Sequence, residues 1–365
     1  MASYDGPIID VDVHNGPRSE ADIKAYLPER WKDYLPIYPP HTPDALLTGS
    51  FARRADTWGP DGAFPGTDPG MLKKQLLDPF NYVSATLTHD LGHFPGLSNP
   101  FYMKEVVRAS NEWMVERWLD EDDRLHGVIV APLSLPEEAV AEVHRYADHP
   151  RMVGVLISSN PLRRPLGDAL FHPMYAAAQE RGLIISVHNE AGGVKDASGT
   201  KTTPPTLDGG SAQLGMHYIS SLIVNGVFEK FPNLKFVIKE YGISWLPWVM
   251  WRLDEMYSRL REESPWVKDL PSNYIRRNIK LSTQPIEAGA RPNDLIDYLS
   301  VIDGIEDLLC YSSDYPHGTM DDPLYVARIL PESWRRKVMC DNACDLYGWD
   351  RPPAGADATP RPVAA

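Results

Sequence analysis

The chain has 365 residues, of which 43% are hydrophobic and 24% charged, an ordinary globular balance that allows a large buried core. Its formal net charge of −14 argues against a nucleic acid as partner, because holding a phosphate backbone requires a basic stripe. Cysteines are sparse at three, the start (Met1–Pro7) has no basic stretch leading into an apolar one, and no apolar run nears the ~20 residues that cross a bilayer. The expectation is a cytoplasmic protein with no membrane partner.

In chain order, the first apolar run is Pro7–His14, short and β-branched, and it ends at Asn15, Gly16 and Pro17. That pattern is a buried strand followed by a turn. From about residue 34 to 100 the chain is rich in Pro and Gly, and such a length inside a compact domain is functional or disordered. Its aromatic residues (Phe51, Trp58, Phe64, Phe80, Tyr82) favour an ordered lid or an interface. Within it, Asn81–Leu87 reads as a second strand leading to His89, Asp90 and His93. The rhythm then becomes regular. Helices predicted over Phe101–Leu119, Pro136–Ala147, Pro173–Arg181, a segment ending near Phe231, Trp245–Arg261 and Asn293–Leu299 alternate with strands. The strands are Leu125–Pro132, Met152–Ser158, Leu183–Glu190, Leu234–Glu240, Ile279–Gln284 and Leu308–Asp314. Cys340 and Cys344, four apart in a predicted helix Val338–Tyr347, have no second Cys/His pair nearby and read as packing residues.

About eight strand–helix alternations with continuously apolar strands predict a parallel sheet covered by helices, and eight units favour closure. The expected class is α/β: a (β/α)8 TIM barrel with a long Pro/Gly-rich insertion after strand 1. An open doubly wound sheet is the competing architecture. We expect one domain over residues 1–350, the insertion at about 34–100, and a flexible tail over 351–365.

In such a barrel, functional groups sit at the C-terminal ends of the strands. The polar residues there are Asp12, His14, His188, Glu190, Glu240 and Asp314, with no Lys or Arg among them. Carboxylates and imidazoles buried together repel one another unless a cation joins them. Oxygen and nitrogen donors without thiolate suit Zn, Mn or Fe better than copper. Asp12 and His14, two apart on one strand, face the same side, with Asp10 one step deeper. Asp12, His14, His188 and Asp314 are therefore expected to hold a divalent metal. The duller alternatives are a solvated edge for the alternating Asp residues, a satisfied core histidine for His188, a helix cap for Asp314 and a salt bridge for Glu240.

At these residues the chain resembles the amidohydrolase-related family of the amidohydrolase superfamily. This branch contains aminocarboxymuconate semialdehyde decarboxylase, resorcylate and carboxyvanillate decarboxylases, and several hydrolases. The resemblance is carried by Asp10–His14, His172–His188, Gly226–Glu240, the run from Trp245 to Asp254, Ser313–His317 and Asp341–Gly348, in the family's order. Asp12-x-His14 stands where many members have His-x-His, and Glu240 stands where the decarboxylases carry a strand-six His. No Lys ends strand four (Ile157–Asn160), so the carbamylated lysine that bridges two metals in some relatives is missing. That absence favours one metal; Glu240 with His217 is the pair that would hold a second.

The resemblance implies a divalent ion, zinc first and manganese or iron as alternatives, that lowers the pKa of water or serves as a Lewis acid. Asp314 would be general base or proton donor, Glu240 a second acid/base, and His317 and Arg252 substrate contacts. The expected function is a metal-dependent hydrolase or non-oxidative decarboxylase acting on a small organic acid or amide. The alternatives are a dinuclear Fe/Mn oxygenase on the same barrel, or a silent subunit that partners an active paralogue through the region 34–100. A homo-oligomer or a paralogous hetero-oligomer is expected.

Overall fold

The computed structural model describes residues 4–34, 53–59, 62–90, 97, 99–158, 161–189 and 204–353, without the side chains of 161 and 204–210. Expectations placed on Phe51, His93, Asn160, Glu190, the loop 191–203 and the tail from 354 lie outside these residues.

Eight strands pair in sequence order in one sheet: β1 (Ile8–Asn15), β2 (Tyr82–His89), β3 (Leu125–Val130), β4 (Met152–Ser158), β5 (Ile184–His188), β6 (Phe236–Lys239), β7 (Ile279–Ser282) and β8 (Leu309–Cys310). Every consecutive pair is parallel. The ring closes through hydrogen bonds between β1 and the chain that follows β8. Val11 N donates to Tyr311 O at 3.1 Å, His14 N to Tyr315 O at 2.7 Å, and Asp314 N to Asp12 O at 3.0 Å. An open sheet would leave that edge of β1 unpaired, so the (β/α)8 barrel is the architecture and the doubly wound alternative falls. All eight residues of β1 and of β2 are buried, as strands with helices outside and packed side chains inside must be.

The helices start where their sequence allows. Pro100–Arg117, Pro136–Tyr146, His172–Glu180, Leu246–Leu260 and Pro292–Leu299 each carry Pro in the first turn, where its missing N–H removes no helical bond. Asn99 caps the first of them by accepting from Phe101 N and Tyr102 N. Two expectations are corrected here. The helix ending near Phe231 is two, Pro204–Val224 and Val227–Lys230, broken at Gly226, whose φ of +72° a side chain would resist. The last strand stops at Cys310 rather than reaching Asp314, because the chain beyond it bends out of the ladder to close the ring.

Short helices at Glu20–Lys24, Glu29–Lys32 and Pro69–Leu72 occupy described parts of the stretch between β1 and β2. That stretch is tied to the barrel mouth. Gly16 N donates to Gly66 O at 2.9 Å, Arg54 N to Pro316 O at 3.0 Å, and the Tyr315 hydroxyl to Gln75 Oε1 at 2.5 Å. At the opposite end, Trp349 packs at a 45° tilt against His126 with centroids 4.6 Å apart, and the hydroxyls of Tyr347 and Thr86 meet at 2.9 Å. Cys310, Cys340 and Cys344 are free and fully buried, packed with Val83, Ile184 and Val237.

Candidate metal centre

The C-terminal ends of four strands gather imidazoles and carboxylates. His14 lies near the end of β1, His188 ends β5, Glu240 follows β6, and Asp314 and His317 follow β8. Glu240 and Asp314 have positive φ, 64° and 60°, a region that non-glycine residues avoid unless the surroundings hold them there. The geometry forms two overlapping groups whose donor atoms all lie within 4.8 Å of one another: Asp12, His14, His188 and Glu240, and His14, Glu240, Asp314 and His317. His188 Nε2 stands 3.4 Å from Asp12 Oδ2 and 3.4 Å from Glu240 Oε2. His14 Nε2 stands 3.3 Å from Asp314 Oδ1, 3.8 Å from Glu240 Oε1 and 3.9 Å from Asp12 Oδ1. Of the expected quartet, Asp12, His14 and His188 share one group with Glu240, and Asp314 shares the other with His14, Glu240 and His317.

Surrounding residues orient these donors. The Asp90 carboxylate accepts from His14 Nδ1 at 2.8 Å, so the ring presents Nε2 to the cluster, and Asp90 is itself held by Arg53 Nη2 at 2.6 Å. Asp314 Oδ2 accepts from Gln284 Nε2 at 3.0 Å and from Thr319 Oγ1 at 3.2 Å, and its Oδ1 is bound to His317 Nδ1. Asp10 lies beneath, accepting from the backbone N–H of Asp12 at 3.0 Å and of Ser313 at 3.1 Å. Burial pushes its carboxyl up to about 7.

The charges are strongly interdependent. Burial opposes ionisation of Asp12, but Lys239 and His188 outweigh it and hold that carboxyl well below its usual range. Burial likewise opposes charge on His188, yet Glu240 and Asp12 raise it well above the ordinary imidazole value. Glu240, buried beside His188, is held well below the carboxylate range. Asp314 goes the other way: burial and the adjacent Glu240 push it well above the usual carboxylate range. His14 is raised, burial and His317 being overcome by Asp314 and Asp90.

The residues present fit a divalent ion. Asp12 Oδ2 and His14 Nε2 are buried without a hydrogen bond, and an unfilled buried carboxylate oxygen facing imidazoles is a costly arrangement that a cation resolves. The donor set holds oxygen and nitrogen only; neither group contains a cysteine.

Two sequence-derived candidates are not brought to the mouth. Arg252 lies on the solvent face of Leu246–Leu260, half exposed, with Nη1 3.0 Å from Glu255 Oε2, because that helix packs inward through Leu246, Val249 and Met250. His217 is exposed on Pro204–Val224, whose buried side carries Tyr218, Ile219 and Leu222, and it belongs to neither group of donors. The pair Glu240 and His217 is therefore not assembled. Cations also stand beside the cluster. Lys239 is fully buried with Nζ 2.8 Å from Asp12 Oδ1, and Arg53 holds Asp90. From the sequence, Lys239 and Arg53 have no place in the site, and Asp90 has only a position at the end of the second strand. A signal existed for two of them: Asp90 follows the end of a strand as Asp314 does, and Lys239 is a charge inside the apolar run Phe236–Lys239.

The closed parallel barrel places a candidate metal site of histidines and carboxylates at the C-terminal mouth, where (β/α)8 enzymes carry their active sites. The chain belongs to the amidohydrolase family, whose model it matches over residues 9–349. Among characterised proteins it is similar to Decarboxylase orsB of Emericella nidulans, 24% identical over 259 residues that span 66% of this chain and 76% of that protein. Its fold resembles an amidohydrolase of Mycobacterium avium subsp. paratuberculosis (TM-score 0.68, 21% identity, 95% of this chain and 100% of that one). It also resembles the 5-carboxyvanillate decarboxylase of Novosphingobium aromaticivorans, solved with manganese and 4-hydroxy-3-methoxy-5-nitrobenzoic acid (TM-score 0.67, 19% identity, 94% and 96%). No described helix is long and apolar enough to cross a membrane.

Proposed function

We propose that this chain is a metal-dependent, non-oxidative decarboxylase of a small aromatic acid. The observation that carries the reading is a buried carboxyl, Asp314, 3.3 Å from His14 Nε2 and bound to His317, in a donor group that shares His14 and Glu240 with the group of Asp12 and His188; burial and Glu240 raise its pKa. Asp12, His14, His188 and Glu240 would hold the ion, which supplies Lewis-acid charge for a substrate carboxylate or neighbouring hydroxyl. Manganese, bound by the carboxyvanillate enzyme, is the first metal to test, ahead of zinc.

The chain's own groups account for the proton. When the bond between the ring carbon and the carboxyl group breaks, CO2 leaves without the electron pair, which stays on the carbon. Asp314 delivers its proton to that carbon, and the resulting carboxylate is stabilised by Gln284, Thr319 and His317 until solvent reprotonates it. The reaction is redox-neutral.

Hydrolysis is the second reading, favoured by Glu240. This carboxylate, 3.4 Å from His188 Nε2 at the barrel mouth, would be the general base. Purified protein stripped with a chelator and reloaded with Mn2+ or Zn2+ decides between them, assayed against hydroxybenzoic acids and against aryl amides and esters. Metal-dependent CO2 release in D2O, with deuterium at the vacated carbon, is expected. Cleavage of amides or esters without any CO2 release would replace the proposal with hydrolysis.

A further inference from the structure

Lys239 ends β6, yet its side chain crosses the barrel interior to the opposite strands. Nζ lies 2.8 Å from Asp12 Oδ1, donates to the carbonyl of Val11 at 3.3 Å, and donates to the Thr88 hydroxyl. The Thr88 hydroxyl in turn donates to the same Asp12 oxygen at 2.5 Å. Three ammonium protons thus meet three acceptors, which is what a fully buried lysine requires. Asp12 Oδ1 is saturated by this arrangement. Asp12 Oδ2 is left without a hydrogen bond, facing His188 Nε2 at 3.4 Å.

We propose that Lys239 is a positioning residue and built-in counter-cation of the metal centre: it presents Asp12 through Oδ2 alone, and it opposes the divalent ion by placing a second positive charge on the same carboxylate. The inference rests on the metal-centre reading above and adds a partner within the chain. Two like charges on opposite oxygens of one carboxylate repel at close range in a low-dielectric interior. The lysine therefore weakens metal binding while it keeps the carboxylate-rich pocket folded when no metal is present. The two effects are one coupling measured from two sides. A lysine that only braced the barrel would instead stabilise the metal-free and metal-loaded forms equally.

The test compares wild type, Lys239→Met and Lys239→Gln, each stripped with a chelator. Mn2+ binding is followed by calorimetry, and thermal unfolding is measured with and without Mn2+. Metal-free wild type is expected to be folded. Both variants are expected to bind Mn2+ at least about ten-fold more tightly than wild type, and Mn2+ should raise their melting temperatures more than it raises that of wild type. Glutamine keeps a donor for Asp12 without the charge, so tightening in Lys239→Gln assigns the effect to charge. Recovery of Lys239→Met in folded form only with Mn2+ present supports the proposal too. If that variant fails to fold under all conditions, Lys239→Gln and metal-free wild type decide. Variants that bind Mn2+ no more tightly than wild type, or a metal-free wild type that is unfolded, overturn it. Wild type that binds no divalent ion overturns the metal reading itself, a result distinct from binding that the substitutions leave unchanged.

Discussion

Protonation of His126 should loosen the barrel at the end opposite the candidate metal centre. The ring is buried at the start of β3, shares a 2.8 Å hydrogen bond between its Nδ1 and Ser84 Oγ, and packs at a tilt against Trp349. Burial drives its pKa from 6.5 down to about 4, so the folded state holds the neutral ring and the unfolded chain binds the proton first. The sign follows: the contribution is complete above pH 6.5 and is lost as pH falls from 6.5 towards 4. With those two values, roughly 2 kcal/mol is lost between pH 8 and pH 5, and about 3 kcal/mol below pH 4. Urea denaturation at pH 8, 6 and 5, by tryptophan fluorescence and circular dichroism, measures the loss. His126→Asn is the control, since its side-chain oxygen takes the place of Nδ1 towards Ser84 and does not titrate. The variant should be less stable at pH 8, having lost the ring contact, but its stability should fall less between pH 8 and 5, by about 2 kcal/mol. Wild type and variant losing stability in parallel over that interval would refute the argument.

Other predictions concern the mouth. Asp90→Asn should weaken metal binding by roughly 10- to 100-fold in a calorimetric titration, because the carboxylate orients the His14 ring; unchanged affinity would show that something else sets its orientation. His188→Ala should remove bound metal and activity together, and stoichiometric metal retained in the purified variant, by elemental analysis, would refute its ligand role. Asp314→Asn should lower kcat for CO2 release by about 100-fold or more while leaving metal content intact, since it loses the transferable proton but stands outside the group holding Asp12 and His188. Arg252→Ala and His217→Ala should leave metal stoichiometry unchanged and kcat/KM within about two-fold, both residues being on solvent faces; a large fall for either would mean that an assembly brings it to the mouth.

The sequence by itself determined the barrel and most of the cluster. Eight β-branched runs separated by helical periodicity leave a parallel, two-sided sheet as the arrangement that buries them all. The rule that polar residues at the C-terminal ends of such strands face one mouth then selects Asp12, His14, His188, Glu240 and Asp314 without coordinates. These features are local, set by side-chain alternation along one strand and by where each apolar run stops.

What tertiary structure alone decided is which of those groups meet, and what stands behind them. Glu240 stands in both groups of donors and Asp314 in one, each held in a left-handed backbone conformation that no periodicity encodes. Arg53 and Asp90 come together across the insertion, and Lys239 reaches Asp12 from a strand 227 residues away. Arg252, plausible from its motif, turns to solvent because helix packing chose the other face. The physical reason is the same each time. Strand alternation says which side of the sheet a residue faces, but the distance a long side chain covers inside a closed ring depends on how the ring is closed.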